Sequence, residues 1–397
     1  MAAHESTFDA IPSSRARPLW RDLAPICVMV FMEFLAMGLP LSVLPIHVHG
    51  ALGFGSFVVG LAIGAQSWVT LVTRHAAGTR SDVHGPRRAA LLGLLVSVLA
   101  GGLYALSTGV ADPTASLAIL LLGRGLLGMG ESLVITGALA WGVALAGKER
   151  SGLVMAWVGI AMYAAMAIGA PLGAELERGL GFVAMAIAAS LAPLVGMASA
   201  VAARPVAPLG GARMPFYRLA ARIWLPGAGL SLCALGFGAI AAFASLLFGE
   251  HGWAHGALAM TAFGAAFVLA RLLFGSFPDR FGGARVAMAS AAVAMLGQLG
   301  LWLAPSAPIA VASAALTGLG FSLAFPAFGV EAIRGVPPQN RGVALGAYTA
   351  SFDLTMGVGV PLLGVAVGSF GYHAAFAIGA LAAFASLLIA IALKRRA

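Results

Sequence analysis

Long apolar stretches separated by short polar connections recur along the whole chain. Each stretch holds roughly twenty residues, the length of a helix that crosses the hydrocarbon core of a bilayer. Barrel strands would instead be short segments of alternating polarity. The twelve predicted spans cover residues 22–47, 57–78, 88–107, 116–146, 152–174, 181–203, 222–249, 256–277, 285–304, 309–334, 342–368 and 374–393.

The composition also indicates a membrane protein. Hydrophobic residues make up 60% of the chain, charged residues make up 9%, and the mean hydropathy is +0.97. A soluble domain carries about 25% charged residues, so this chain has too few to form a surface that faces water. In lipid the backbone must satisfy its own hydrogen bonds, and the expected fold class is an all-α membrane protein. Cys27 and Cys233 lie inside apolar stretches, which predicts no disulfide framework.

Basic residues gather in every second connection. The other connections, near residues 50, 110, 177, 252, 306 and 371, contain one basic residue, Arg178. The positive-inside rule therefore predicts that both termini lie in the cytoplasm. This distribution accounts for the net charge of +9 and predicts no nucleic-acid partner. Residues 1–21 contain no apolar core, which predicts a cytoplasmic tail and not a signal peptide.

The two halves of the chain repeat each other. Three motifs recur in the same order. The motif at residues 74–85 recurs at 271–282, a shift of 197 residues. The motif at 128–133 recurs at 318–323 and the one at 152–171 recurs at 342–361, each with a shift of 190. The connection 204–221, rich in Pro, Gly and Arg, separates the halves, which predicts one bundle at 22–203 and another at 222–397. Paired six-span repeats are typical of alternating-access transporters, whose sites lie at the repeat interface near the midplane.

The connection between spans 2 and 3 reads GTRSDVHGPRR, residues 78–88. It resembles the G-x3-D-x2-G-x-[RK]-[RK] loop of the major facilitator superfamily, and a second copy follows span 8, where that family has one. Arg124-x3-Gly128 in span 4 resembles the family's span-4 arginine motif. Gly169-Ala-Pro-Leu-Gly173 in span 5 resembles part of a motif of its antiporters. Residues 39–55 are similar to the bacterial YhhS/YfcJ-type branch, which implies efflux.

The resemblance implies twelve transmembrane helices in two pseudo-symmetric six-helix bundles, and secondary transport without a cofactor. It implies that Asp82 locks a gate by meeting the start of span 11, near Arg341 and Gly342. The gating residues that it assigns are Gly78, Asp82, Gly85, Arg87 and Arg88, with Asp279 in the second copy. The helix-packing residues are Gly169, Pro171 and Gly173 from this resemblance, with Pro361 added as the repeat of Pro171.

Charged residues inside the spans are the candidates for chemistry, because a charge at the bilayer centre costs about 2.5–3.5 kcal/mol. By their positions along the spans, Glu33, Arg124 and Asp353 lie near the middle of the membrane, and Glu131 lies two turns from Arg124 on the same face. A carboxylate that leaves water is easier to protonate, and a nearby guanidinium opposes this. The set predicts proton coupling or substrate binding. Each has a structural alternative. Glu33 would tether helices and Arg124 would pair with Glu131 or Glu33. Asp353 would form a hydrogen bond with its neighbours Tyr348 or Thr355.

Other polar and aromatic residues have simpler interpretations. Glu331 precedes Arg334 by three residues, which predicts an ordinary ion pair on one helix. Histidines near one membrane face lack an accompanying carboxylate or cysteine cluster, so no metal site is predicted. Gln66, Tyr163 and Phe237 are candidates for lining a cavity. The chain has no phosphate-binding loop, so ATP-driven transport is not expected.

The leading hypothesis is a proton-driven antiporter that exports a small organic or amphiphilic solute across the bacterial inner membrane. The expected partners are the bilayer, the solute and protons, and a monomer is sufficient. A symporter that imports a sugar or organic acid would use the same residues. Two remoter alternatives are a membrane-embedded enzyme, for which no interfacial His, Asp or Cys cluster is visible, and a sensor that does not transport.

Overall fold

The computed structural model describes residues 19–147, 150–207, 216–334, 336 and 341–396, and for residues 216–222 and 341–343 it describes the backbone alone. Twelve long helices account for most of this part of the chain. They are α1 Leu19–Gly38, α2 Ser56–His84, α3 Pro86–Ser107, α4 Pro113–Ala146, α5 Ser151–Leu180, α6 Phe182–Ala202, α7 Phe216–Glu250, α8 Ala257–Phe274, α9 Gly283–Trp302, α10 Ala307–Ile333, α11 (Arg341–Leu354, Thr355–Gly359 and Val360–Phe370) and α12 His373–Arg396.

Eleven of these helices are long and apolar enough to cross a membrane. The remaining long helix, α1, has 20 residues. It contains three charged residues, Arg21, Asp22 and Glu33. The helices form two bundles, α1–α6 and α7–α12, as the repeat predicted. Most of the predicted tail and the middle of the predicted linker, residues 1–18 and 208–215, lie outside the described residues.

The first span differs from its predicted extent of 22–47. Helix α1 ends at Gly38, and the chain turns before the short helices Leu44–Ile46 and His47–Ala51. Pro40 lacks the N–H group that would continue the helix. Gly38 at this end packs closely on α5, where a side-chain carbon added at Gly169 would lie 2.9 Å from the Cα atom of Gly38. The packing motif predicted in span 5 therefore joins α5 to α1 inside the first bundle.

Contacts between helices repeat from one bundle to the other. A side-chain carbon added at Gly128 of α4 would strike the backbone of Gln66 of α2, and one added at Gly318 of α10 would strike the backbone of Phe263 of α8. These two contacts are related by the same shifts of 190 and 197 residues that relate the sequence motifs. Small residues let membrane helices approach closely. The duplication read from the sequence is therefore present in the packing.

The bundles meet along two helix pairs, α2 with α11 and α5 with α8. We call the side of the molecule where α1 begins and α12 ends the terminal face, and the opposite side the far face. Close backbone approaches lie toward the far face: a side-chain carbon at Gly60 would lie 2.9 Å from the Cα atom of Pro361, and one at Gly364 would lie 2.8 Å from that of Phe57. The two bundles are therefore closed against each other at the far face.

Helix α11 contains a π-helical segment, Thr355–Gly359. It lies between Asp353 and Pro361. Pro361 cannot donate a backbone hydrogen bond into the preceding turn, which favours such a departure from α-helical geometry. Short π segments inside α-helices are frequent at functional sites. The segment joins the part of α11 that packs on α2 at the far face to the part that carries Asp353.

Candidate functional site

Helix α2 carries three polar side chains on one face. Gln66, Thr70 and Arg74 follow one another at intervals of four residues, so they lie on successive turns of the same side. Gln66 and Thr70 are buried, with 3% and 0% of their surface exposed. The face contacts α4 of the same bundle and α11 of the other bundle, and it brings two carboxylates into one group.

The first carboxylate is Glu131 of α4. Its Oε2 atom accepts a hydrogen bond of 2.9 Å from the Nε2 atom of Gln66 and one of 3.1 Å from the Oγ1 atom of Thr70. The Thr70 hydroxyl also lies 3.0 Å from the carbonyl oxygen of Gly128. Hydrogen bonds to a charged group are stronger than those between neutral groups. Glu131 is therefore fixed against α2 by side chains of its own bundle.

The second carboxylate is Asp353 of α11. Its Oδ2 atom accepts hydrogen bonds from the Nε and Nη2 atoms of Arg74, at 3.0 and 2.5 Å. The Asp353 side chain is 3% exposed and the Arg74 side chain is 21% exposed. This ion pair joins the two bundles across 279 positions of sequence. Glu131 and Asp353 thus bind neighbouring turns of α2, at Thr70 and Arg74. We call Gln66, Thr70, Arg74, Glu131 and Asp353 the polar cluster.

The structure does not place Arg124 beside the predicted midplane carboxylates. Its Nε and Nη2 atoms donate to the backbone carbonyl oxygens of Ala62 and Ile63 in α2, at 2.9 and 3.0 Å. The side chain is 3% exposed. In the described part of the chain, Arg124 forms no ion pair with Glu33 or Glu131. It therefore binds α4 to the backbone of α2.

Glu33 lies inside the first bundle. It is fully buried, and its Oε1 atom accepts a hydrogen bond of 2.6 Å from the Ser97 hydroxyl of α3. Its Oε2 atom has no hydrogen-bond partner among the described residues. Gly130 of α4 also lies beside the Glu33 carboxylate. Glu33 therefore faces the packing of α1, α3 and α4, and the two carboxylates of the polar cluster are Glu131 and Asp353.

The predicted gating loop begins at the buried Gly78, near the terminal-face end of α2, and crosses to α3. Gly85, with a φ of +90°, is the residue at which α2 ends and α3 begins. Arg87 donates a 2.8 Å hydrogen bond to the carbonyl oxygen of Val201 and so ties α3 to the end of α6. Asp82 is half-buried and Arg88 is exposed. The side chain of the predicted partner Arg341 lies outside what the structure describes, and only the backbone is described at Gly342.

The equivalent loop of the second half keeps the conformation of its glycine but exposes its aspartate. Asp279 is exposed, and Gly282 has a φ of +88° where α9 begins. Glu331 forms the predicted ion pair with Arg334, at 3.0 Å, so that prediction is confirmed. Glu331 also accepts a 2.8 Å hydrogen bond from the backbone N–H group of Ala284 and thus caps α9. Its role is structural.

An aromatic cluster lies where α5 of the first bundle meets the second bundle. Tyr163 of α5 stacks on Phe267 of α8, with ring centroids 3.6 Å apart. The guanidinium carbon of Arg271, one turn further along α8, lies 5.3 Å from the ring centroid of Phe267. The six members of the cluster are Tyr163, Phe237, Phe263, Phe267, Phe321 and Phe352.

The polar and aromatic clusters occupy equivalent positions of the two halves. Shifts of 197 residues on α2 and α8, and of 190 on the other helices, relate them. Gln66, Thr70 and Arg74 correspond to Phe263, Phe267 and Arg271, Glu131 corresponds to Phe321, and Asp353 corresponds to Tyr163. The contact of Gly128 with Gln66, repeated by Gly318 with Phe263, supports this alignment. Each cluster joins both bundles, one through an ion pair and the other through stacked rings.

Sequence reasoning missed Arg74, Thr70 and Arg271 as site residues. The two arginines open the repeated motif and stand at equivalent positions, which was a signal of a shared place in the fold. Gln66, Tyr163 and Phe237, which the sequence suggested as cavity-lining residues, do lie in the two clusters.

Comparison with known proteins identifies the family. The profile described as the Major Facilitator Superfamily matches residues 26–226 and 226–397. The chain belongs to the Major Facilitator Superfamily. An uncharacterized MFS-type transporter of Pseudomonas aeruginosa (strain UCBPP-PA14) is 44% identical over 376 residues, which are 94% of each chain. An uncharacterized MFS-type transporter of Burkholderia mallei (strain SAVP1) is 41% identical over 395 residues, 98% of this chain and 96% of that one.

Two solved transporters of the superfamily share the fold. The human organic anion transporter MFSD10 aligns with a TM-score of 0.72 and 14% identity, over 94% of this chain and 99% of its own. A point mutant of the nucleoside transporter NupG aligns with a TM-score of 0.74 and 15% identity over the same shares. The protein is thus a multi-pass membrane transporter with bacterial relatives.

Proposed function

We propose that the protein is a proton-driven antiporter that exports a small organic or amphiphilic solute through the bacterial inner membrane. The observation that carries the proposal is the ion pair between Arg74 and Asp353, because it joins the two bundles that alternating access must move. The alternation of basic and non-basic connections supports a cytoplasmic terminal face. With the far face closed, the conformation described above is then one that admits solute from the cytoplasm.

The charge of Asp353 links protonation to the positions of the bundles. When Asp353 is charged, it holds Arg74 and so holds α2 against α11. When a proton neutralises Asp353, the attraction to the guanidinium falls and the two helices separate at lower cost. Glu131 contacts the same face of α2 through Thr70, one turn from Arg74.

The remaining charged residues take supporting roles in this proposal. Glu33 and Arg124 hold the first bundle together through Ser97 and the carbonyl groups of α2. Asp82 and the residues around it gate the terminal face. The movement of the bundles thus depends on Asp353, while the scaffold that supports α2 stays fixed.

Proton flux measurements test the proposal. The purified protein is reconstituted into liposomes that contain a pH-sensitive dye, and a panel of amphiphilic amines, organic acids and sugars is added in turn. For at least one compound, we expect proton movement opposite to solute movement. Asp353→Asn abolishes the proton movement but retains solute exchange, and Glu175→Gln, which alters an exposed ion pair, retains both. Solute transport by the unaltered protein without proton movement would sink the proposal.

A symporter that imports a sugar or an organic acid is the second candidate. The bond between Arg74 and Asp353 serves it equally well, because a proton that breaks the bond can accompany a solute in either direction. The same liposomes distinguish the two mechanisms. Proton and solute move in the same direction in symport and in opposite directions in antiport.

A further inference from the structure

The duplication placed one arginine at the same position in each half. Among the described residues, only one of the two arginines is paired with a carboxylate. Arg74 is paired with Asp353, whereas the residue equivalent to Asp353 beside Arg271 is Tyr163. The Nε atom of Arg271 is shielded from solvent and has no hydrogen-bond partner in the described part of the chain. Within that part, Arg271 forms no ion pair.

A half-buried guanidinium without an anion is costly, since removing a charge from water costs several kcal/mol unless a partner compensates. Arginine nevertheless keeps its proton under all ordinary conditions. Its planar fork of N–H groups matches a carboxylate or a sulfonate, which can accept two parallel hydrogen bonds. The charge of Arg271 is therefore best compensated by an anion from outside the protein.

The surroundings of Arg271 define what else that anion carries. The guanidinium lies over Phe267, which stacks on Tyr163. Phe267 is almost fully buried, whereas Tyr163 and Phe352 are partly exposed and give the aromatic cluster an accessible edge. Flat apolar bodies gain from stacking on such rings. Because Tyr163 belongs to the first bundle and Arg271 to the second, a ligand here touches both moving parts.

We propose that Arg271 and the aromatic cluster bind the transported solute, and that this solute is an organic monoanion with a flat apolar body. Its acidic group lies on Arg271 and its body lies against Tyr163 and Phe352. The inference rests on the proposed function, because it assumes that the solute is carried between the bundles. It adds the chemical class of the solute and separates the binding arginine from the one that forms the ion pair.

Equilibrium binding of two matched probes tests this assignment. Radiolabelled 2-naphthoate and 2-naphthylmethanol share one ring system and differ in charge, and both are titrated onto the protein in phosphatidylcholine nanodiscs without a proton gradient. We expect naphthoate to bind at least about tenfold more tightly. Arg271→Gln removes this preference and leaves the affinity for the alcohol unchanged within about twofold. Arg271→Lys, which keeps the charge without the fork, retains part of it.

Two further variants complete the design. Phe267→Leu is expected to weaken both probes, because it removes the ring that holds Tyr163, against which the naphthalene body of each probe lies. Arg280→Gln alters an exposed arginine in the short helix Phe277–Phe281 that follows α8, and it leaves both affinities unchanged. Nanodiscs that contain anionic phosphatidylglycerol test whether a lipid headgroup is the anion that binds Arg271. If this lipid weakens naphthoate binding by competition, the subsite belongs to lipid and the solute proposal is overturned.

Equal affinity of the unaltered protein for the two probes, or no binding of naphthoate, overturns the inference without any variant. So does an equal loss of both affinities in Arg271→Gln, because that result indicates a structural role. These outcomes are separable from a failure of the proposed function. Binding at equilibrium needs no coupling, so a naphthoate preference that depends on Arg271 stands even where proton flux is absent.

Discussion

Removing the carboxylate of Asp353 tests whether the ion pair with Arg74 stabilises one conformation of the transporter. Asp353→Asn keeps the size of the side chain and removes its charge. Hydrogen bonds to a charged group contribute about 1.5–3 kcal/mol, and the partial exposure of Arg74, at 21%, moves the expected value toward the lower part of that range. With about 2 kcal/mol lost, the equilibrium between conformations shifts about 30-fold, away from the state in which the far face is closed.

Single-molecule fluorescence gives the population of each conformation. Dyes are attached at two exposed positions of the terminal face, His84 in the first bundle and Arg280 in the second. Cysteines are introduced at these two positions to carry the dyes. The two native free cysteines, the half-buried Cys27 and the buried Cys233, are first replaced so that they do not react with the dyes. A change in the distance between the dyes then reports how far the bundles separate. The populations are compared for the unaltered protein, each single variant and the double variant.

A double-mutant cycle isolates the interaction from other effects of each substitution. Arg74→Gln and Asp353→Asn each shift the population, and the double variant shifts it no further than the larger single effect. The resulting coupling energy is expected near about 2 kcal/mol. If the two single effects instead add within about 0.5 kcal/mol, the pair does not stabilise a conformation, and the reasoning that links the charge of Asp353 to bundle movement fails.

Three other substitutions separate structural roles from transport roles. Arg124→Leu removes two buried hydrogen bonds to α2, so it should destabilise the protein by about 2–4 kcal/mol, measured as a lower melting temperature; an unchanged melting temperature would contradict that role. Gly60→Leu places a side chain against the backbone of α11 and should hold the far face open. The measurement is faster labelling of a cysteine introduced at the far face. Gly368→Leu, on an open surface of α11, is the matched control. Glu33→Gln keeps the hydrogen bond from α3 and should leave solute-driven proton flux within about twofold; abolished flux would assign the coupling proton to Glu33.

The fold followed from the sequence because lipid leaves few alternatives. A chain that is 60% hydrophobic must satisfy its backbone within helices, and the repeat spacing divides those helices into two sets. The ends of helices were harder to predict. A run of apolar residues continues past Gly38 although Pro40 breaks the helix there, and α2 extends to His84, beyond the apolar pattern that ends near Gly78.

The site was only partly predictable, because spacing along a helix does not show which helix lies opposite. Glu131 and Asp353 were recognised as charges inside spans, and the structure groups them through α2. The partner of Asp353 could be named only once the register between α2 and α11 was known. Their positions along the spans predicted a similar depth for Arg124 and Asp353. In the structure Arg124 bonds to carbonyl oxygens of residues 62 and 63 of α2, about three turns from Arg74, the partner of Asp353.

In the proposed mechanism, the divergence between equivalent positions lets one duplicated half serve coupling and the other serve binding. An exact repeat would pair both arginines with aspartate, and both would then be neutralised within the protein. With Tyr163 in place of an aspartate, Arg271 is left for an outside anion, while Arg74 stays with Asp353. Protonation of Asp353 can then change the separation of the bundles without removing the charge that attracts the solute. Tyr163 and Phe352 belong to different bundles, so in the proposed binding mode the arrival of the solute alters the same interface from the opposite side.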